Sequence, residues 1–270
     1  MKRIILILLF FGITANAQNI FKNEFEQLIA TRTSTMNMVD PHVFLLLLQI
    51  VCTDITSELN SEFNNSLTQD SDGDGSIDLN QITRLTTDQP DYLTSRTLNA
   101  SMWDADCPIP LHSAACQPRT GTTPIITTTT FSQDSTCLAP LANTTSGYIP
   151  EPNTVDFPCY ATEPEDFDMN IFGSSITLSG YQQSLKYDGG LLLSDGLSRG
   201  FISETDAENF IIPPTTPIIG GMTLAFLLPG GMGNCSANDD RDLGPDGITQ
   251  GWWLYFNITS ELVEYEIPNN

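Results

Sequence analysis

The run Gly251-Trp252-Trp253-Leu254-Tyr255-Phe256-Asn257-Ile258-Thr259 is dense in aromatic residues and carries no charge. Such side chains fit a pleated surface. Read as a strand, the run turns Trp252, Leu254 and Phe256 to one side and Trp253, Tyr255 and Asn257 to the other. The first face is core. The second is either sheltered surface or an aromatic platform on which sugar rings can stack. Outward from this run the same pattern repeats. Asn170–Leu178, Leu185–Leu193, Phe210–Ile212, Met222–Leu228 and Leu262–Ile267 are short β-rich runs separated by Gly, Pro and Asp. That spacing predicts a β-rich domain over residues 165–270, a sandwich or jelly roll.

Upstream the composition changes. Residues 88–164 hold ten of the 17 prolines, four of the six cysteines and the Thr-rich stretch Thr120–Thr130. Proline removes a backbone donor and costs about 3 kcal/mol in a helix interior. The segment therefore reads as loops stapled by disulfides, with one strand at Ile125–Phe131 and, as a minority reading, a glycan-bearing stalk. Residues 18–87 read as helical. Asp40-Pro41 is a helix start. After it Phe44, Leu47, Leu48, Val51, Ile55, Leu59, Phe63 and Leu67 fall at steps of three and four, which predicts a helix from about 41 to 67. A shorter helix is expected around Phe21–Ala30. The fold class expected is α+β, helical at the N-terminal side and β-rich at the C-terminal side.

Residues 1–17 have the three parts of a secretory signal peptide: Lys2 and Arg3, an apolar run from Ile4, and Ala15-Asn16-Ala17 as a small-x-small cleavage site. The apolar run is too short to cross a hydrocarbon core, which needs about 20 residues. Cleavage leaves eight basic residues against 33 acidic, a net charge near −25. Such a surface repels phosphate backbones and anionic lipid, and attracts cations. An even set of six cysteines in an exported chain implies disulfides. Neighbour pairing gives Cys107–Cys116 and Cys137–Cys159 and leaves Cys52–Cys235, one of 15 possible schemes.

One motif carries specific chemistry: Asp70-Ser71-Asp72-Gly73-Asp74-Gly75-Ser76-Ile77-Asp78. Carboxylates at loop positions 1, 3 and 5, Gly at 6, a backbone carbonyl at 7 (Ser76) and Asp78 at 9 suit a hard divalent cation. The stretch resembles the calcium loop of EF-hands, and equally those of dockerins and thrombospondin type 3 repeats. The resemblance covers about 12 residues and implies Ca2+ held by Asp70, Asp72, Asp74, Ser76 and Asp78. At position 12, where an EF-hand has a bidentate Glu, stands Gln81, which offers one neutral oxygen. A second acidic stretch, Asp239–Gly247, has no recognised spacing and reads as a solvated turn or a second calcium site.

Catalytic patterns are sparse. His42 and His112 stand in no metal-ligand spacing, and there is no GxSxG, HExxH or phosphate-cradling Gly loop. Glu163, Glu165, Asp166 and Asp168 are candidates for an acid pair of glycosidase type. Asn64, Asn99, Asn143, Asn234 and Asn257 begin N-x-S/T sequons. The function expected is that of a secreted or surface calcium-binding protein with a structural, adhesive or glycan-binding role, its partners being calcium, glycans or extracellular matrix. The alternative is a secreted polysaccharide hydrolase acting through carboxylates.

Overall fold

In the computed structural model the aromatic run lies in β13 (Gln250–Val263), and both edges of that strand are taken. On one side it pairs antiparallel with β11 (Leu192–Ser203), Trp253 opposite Phe201. On the other it pairs with β1 (Ile29–Asp40), Phe256 opposite Met38. The residues described are 29–47, 51–71, 73–86, 97–171, 174–186, 192–233, 235 and 239–266. The signal peptide and most of the helix expected at 21–30 lie outside them.

From β1 the ladder runs through β4 (Gln81–Thr86), β5 (Thr97–Asp106), β7 (Ile125–Ser132), β8 (Cys159–Thr162), β10 (Ser174–Lys186), β11 and β13, and so back to β1. Every pairing is antiparallel, and neighbours in space follow one another in the chain. The result is a closed up-and-down barrel of eight strands, in place of the expected sandwich or jelly roll. β9 (Glu165–Ile171) continues β8 along β10. Two short strands, β6 (Gln117–Pro118) and β12 (Asp242–Leu243), add to β5 and β13. Glycines ease the curvature: a Cβ at Gly196 would come within 2.5 Å of Leu185, and one at Gly200 within 2.9 Å of Leu178. Strands from the expected helical, loop-rich and β-rich segments all share this one sheet.

The helix expected over 41–67 is shorter. Phe44–Leu47 (β2) and Val51–Asp54 (β3) form a hairpin, and only Thr56–Ser66 (α1) is helical. A near-continuous apolar run such as Val43–Val51 does not by itself separate buried strand from buried helix. Where the helix does form, its expected face is the buried one: Leu59, Phe63 and Leu67 enter the core. In the middle segment the strand expected at 125–131 is β7, but β5 was legible only as the alternation Leu98, Ala100, Met102. The strands expected at 170–178 and 185–193 straddle junctions, because β10 and β11 each begin inside them. Met222–Leu228 contains a helical turn, α3 (Leu224–Leu227), preceded by α2 (Glu204–Asn209).

All three expected disulfides form, Cys52–Cys235, Cys107–Cys116 and Cys137–Cys159. The segment stapled by Cys137–Cys159 lies across the outside of the barrel. Leu138 and Val155 pack there on Val39, Leu197, Trp253 and Tyr255. Arg199 Nη1 donates to Ala139 O at 2.6 Å, and Asn153 N donates to Asn257 Oδ1 at 2.7 Å. Among the described residues no helix is long and apolar enough to cross a membrane. The outward positions Thr97, Asn99, Thr128 and Thr130 of the barrel are exposed and polar, a face suited to water rather than to the apolar band of a lipid-facing barrel.

Candidate functional site

The acidic loop at 70–78 connects α1 to β4 and is held from below. Ile77 is buried and its N–H donates to Cys107 O at 2.9 Å, while Asp78 N donates to Gln69 O at 2.9 Å. Asp70 folds over the loop: its Oδ1 accepts Gly73 N (2.6 Å) and Asp74 N (3.0 Å), and its Oδ2 accepts Gly75 N (2.9 Å). Asp74 Oδ1 accepts Ser76 N, and Asp78 Oδ1 accepts Ser71 N. Gly75 sits at φ +91°, the conformation that the sixth position of such a loop requires of Gly. Asp72 lies outside the described residues, and among those described no group of three His, Cys, Asp or Glu is gathered to hold a metal. Asp70, Asp74, Ser76 and Asp78 thus share one exposed turn with the expected backbone. Gln81 does not. It belongs to β4, is buried, and points into the barrel, where its Nε2 donates to Tyr181 Oη at 2.8 Å. The inward parity of β4 removes it from the ligand set.

The aromatic platform is also overturned. Trp253 is 7% exposed and Tyr255 0%. The disulfide-stapled segment covers both, and Tyr255 Oη accepts Leu141 N at 3.1 Å. Neither histidine has catalytic company. His42 Nδ1 lies 2.6 Å from Asp54 Oδ2, with its ring stacked on Tyr148 at 4.1 Å; His112 lies 3.9 Å from Glu261.

The second acidic stretch divides by role. Asp239 pairs with Arg241 at 2.6 Å, and hydrogen bonds from that guanidinium hold its carboxyl below the usual range. Asp246 accepts the Thr249 hydroxyl and the N–H groups of Ile248 and Thr249, which hold it down at about 2. Asp240 faces the end of β1. Its carboxylate and that of Asp40 are bridged by Ser146, whose N–H donates to Asp40 (2.9 Å) and whose hydroxyl donates to Asp240. Burial, and then repulsion from Asp240 and Asp242, pushes Asp40 up to about 7; burial and Asp240 push Asp242 to about 6. Spacing alone carried no hint of this cluster, because its members come from β1, a loop and the approach to β12.

The carboxylate candidates separate as well. Glu165 and Asp166 line a cleft of about 740 Å³ on the outside of the barrel, together with Ser179, Ser203, Asp206, Asp246 and Thr249. Phe201, Gly180, Pro164 and Pro245 supply its apolar surface. The walls are fixed: Asp166 Oδ1 accepts Gly180 N (3.3 Å), and Asp206 Oδ2 accepts the Ser203 hydroxyl (2.5 Å). A Cβ at Gly180 would stand 2.8 Å from Pro245, so the turn at 244–249 packs down on a bare strand. Glu163 and Asp168 lie outside this lining, and Asp168 accepts the Thr177 hydroxyl. Comparison with protein families, with curated proteins and with solved structures finds no match to this chain.

Proposed function

We propose that this is an exported, calcium-stabilised barrel that binds glycans in the cleft between β9, β10 and the 244–249 turn, without turning them over. The observation that carries the reading is the cleft. Its volume of about 740 Å³ is in the range of small-ligand sites. Carboxylates and hydroxyls on its walls accept and donate to hydroxyl groups, and its apolar patches suit the C–H faces of a sugar ring. Export is supported by the residues at 1–17 and by the three disulfides. Calcium is assigned to the 70–78 loop through Asp70, Asp72, Asp74, Ser76 and Asp78, where it would pin the start of β4.

The carboxyls pushed toward neutrality, which acid catalysis would need, are outside the cleft lining, and Asp40 is 1% exposed. That favours binding over hydrolysis. A glycan array probed with the wild type and with Glu165→Gln/Asp166→Asn tests the reading. Binding that the double variant loses, with no sugar released, supports it. Released product would establish the hydrolase instead, and absence of any glycan binding would sink both.

A further inference from the structure

The register of the ladder determines which side chains face the lumen. Gln81 bonds Tyr181, and Thr83 Oγ1 bonds Gln183 Oε1 at 3.2 Å, each pair joining opposite walls of the barrel. Cross-strand partners share a face. Thr31 is opposite Thr83, so Thr31 and Thr33 point inward, and with them Ser260 opposite Thr33. By the same steps Ser198, opposite Gln183, and Tyr160, opposite Leu185, point inward too.

Four of these side chains share a second property. Thr33, Ser198, Ser260 and Tyr160 are no more than 2% exposed, and their hydroxyls have no hydrogen-bond partner. Tyr160 lies near Thr31, and Ser198 near Tyr181, but neither pair reaches hydrogen-bond geometry. They come from four different strands, β1, β11, β13 and β8. A buried hydroxyl left unpaired costs about 1–3 kcal/mol, and near pairs of polar groups that do not touch are where a bridging molecule sits. The groups are uncharged, and burial pushes both tyrosines up, away from ionisation. An ion would gain little here. A neutral donor–acceptor would satisfy all four. Eight strands enclose just enough room for side chains or one small guest.

We infer that the barrel lumen is a binding site for an uncharged hydrogen-bonding guest, held by Thr33, Ser198, Ser260 and Tyr160. The same chemistry is supplied by ordered water or by the hydroxyl or amide of a small neutral molecule. The exported, disulfide-bonded protein serves for the test. Native mass spectrometry reports a bound organic molecule, and oxygen-17 relaxation dispersion reports long-lived internal water. Thr33→Val, Ser260→Ala and Tyr160→Phe are each compared with the wild type by both methods and by melting. An adduct in the wild type that the variants lose identifies an organic guest. Long-lived water that the variants lose, with no adduct, identifies water. In both cases the variants should melt about 2–4 °C lower, the shift expected when one hydrogen bond is lost in a chain of this size. Wild-type protein with neither adduct nor long-lived water overturns the inference, whether or not the variants fold. So do variants that melt at or above the wild-type temperature, because removing an unsatisfied hydroxyl should stabilise.

Discussion

At the scale of single residues, burial decides what a side chain can be used for. Trp253 has the composition of a sugar platform and the position of a core residue, packed at 5.7 Å ring-centroid distance from Phe201. Trp253→Ala is expected to cost about 3–5 kcal/mol, as loss of a large buried aromatic does; a variant as stable as the wild type in urea would contradict the packing. Asp40 makes a prediction of opposite character. Its carboxyl is raised from 3.8 to about 7, first by burial and then by Asp240 and Asp242. Between about pH 4 and 7 the folded chain holds this proton more tightly than the unfolded chain. The stability it contributes is therefore full below about pH 4 and declines as pH rises to 7. Asp239 and Asp246, held low, work the other way and lose their contribution only as pH falls below about 4. In calcium-free buffer the protein should melt higher at pH 5 than at pH 8, and Asp40→Asn should remove much of that difference. An unchanged pH slope in the variant would show that another group is responsible.

At the scale of elements, α1 does the work of a strand. β4 pairs with β1 only over Ile29–Arg32, which leaves the far part of that edge open. Asn64 Oδ1 accepts Met36 N at 3.0 Å and its Nδ2 donates to Met36 O; Asn60 does the same for Met38, at 2.7 and 2.9 Å. Four residues of helix rise about 6 Å, close to two residues of strand at about 6.6 Å, so two amides one turn apart match two successive outward groups of β1. Asn60→Ala and Asn64→Ala should each destabilise by about 1–3 kcal/mol, since each leaves a backbone donor and acceptor unpaired. Chemical denaturation measures this. Loss under 0.5 kcal/mol for both would mean that water replaces the amides at no cost. Asn64 also begins a sequon, but with its amide committed to Met36, Asn37 and Asn60 it has no freedom to carry a glycan in the folded chain.

At the scale of the molecule, two devices tie remote parts together. The first is Cys52–Cys235, with 183 residues between its ends, joining the β2–β3 hairpin to the segment after α3. Replacing both cysteines by Ala should cost about 2–5 kcal/mol, whereas the 9-residue Cys107–Cys116 loop should cost less. Equal melting temperatures for the two double variants would set aside loop closure as the cause. The second is the 70–78 loop, which sits between α1 and β4 at a point where the barrel begins. Extracellular calcium modules bind at roughly 0.1–1 mM, and a ligand at 100 times its Kd adds about 2.7 kcal/mol. EDTA should lower the melting temperature, and Asp72→Ala with Asp74→Ala should abolish the difference. Identical melts with and without calcium in the wild type would end the calcium assignment.

What the sequence determined by itself was local. Neighbouring cysteines pair because a short loop brings them together at small entropic cost, and the two nearby pairs leave the third no choice. The aromatic run is a strand with two different faces because its alternation has period two, and Leu59, Phe63 and Leu67 form the buried side of a helix because theirs is near 3.6. The 70–78 loop turns at Gly75 because few other residues accept that backbone. The tertiary structure alone decided the rest. Whether Val43–Val51 would be helix or hairpin depended on the core it entered. Gln81 was lost to the calcium loop because pairing with β5 and β1 turned it into the lumen. Barrel rather than sandwich was settled by Ala30 opposite Val263, a pairing across nearly the whole described chain. A ladder partner that distant leaves no mark on residue spacing, since hydrogen bonds between backbones do not depend on which side chains make the strand.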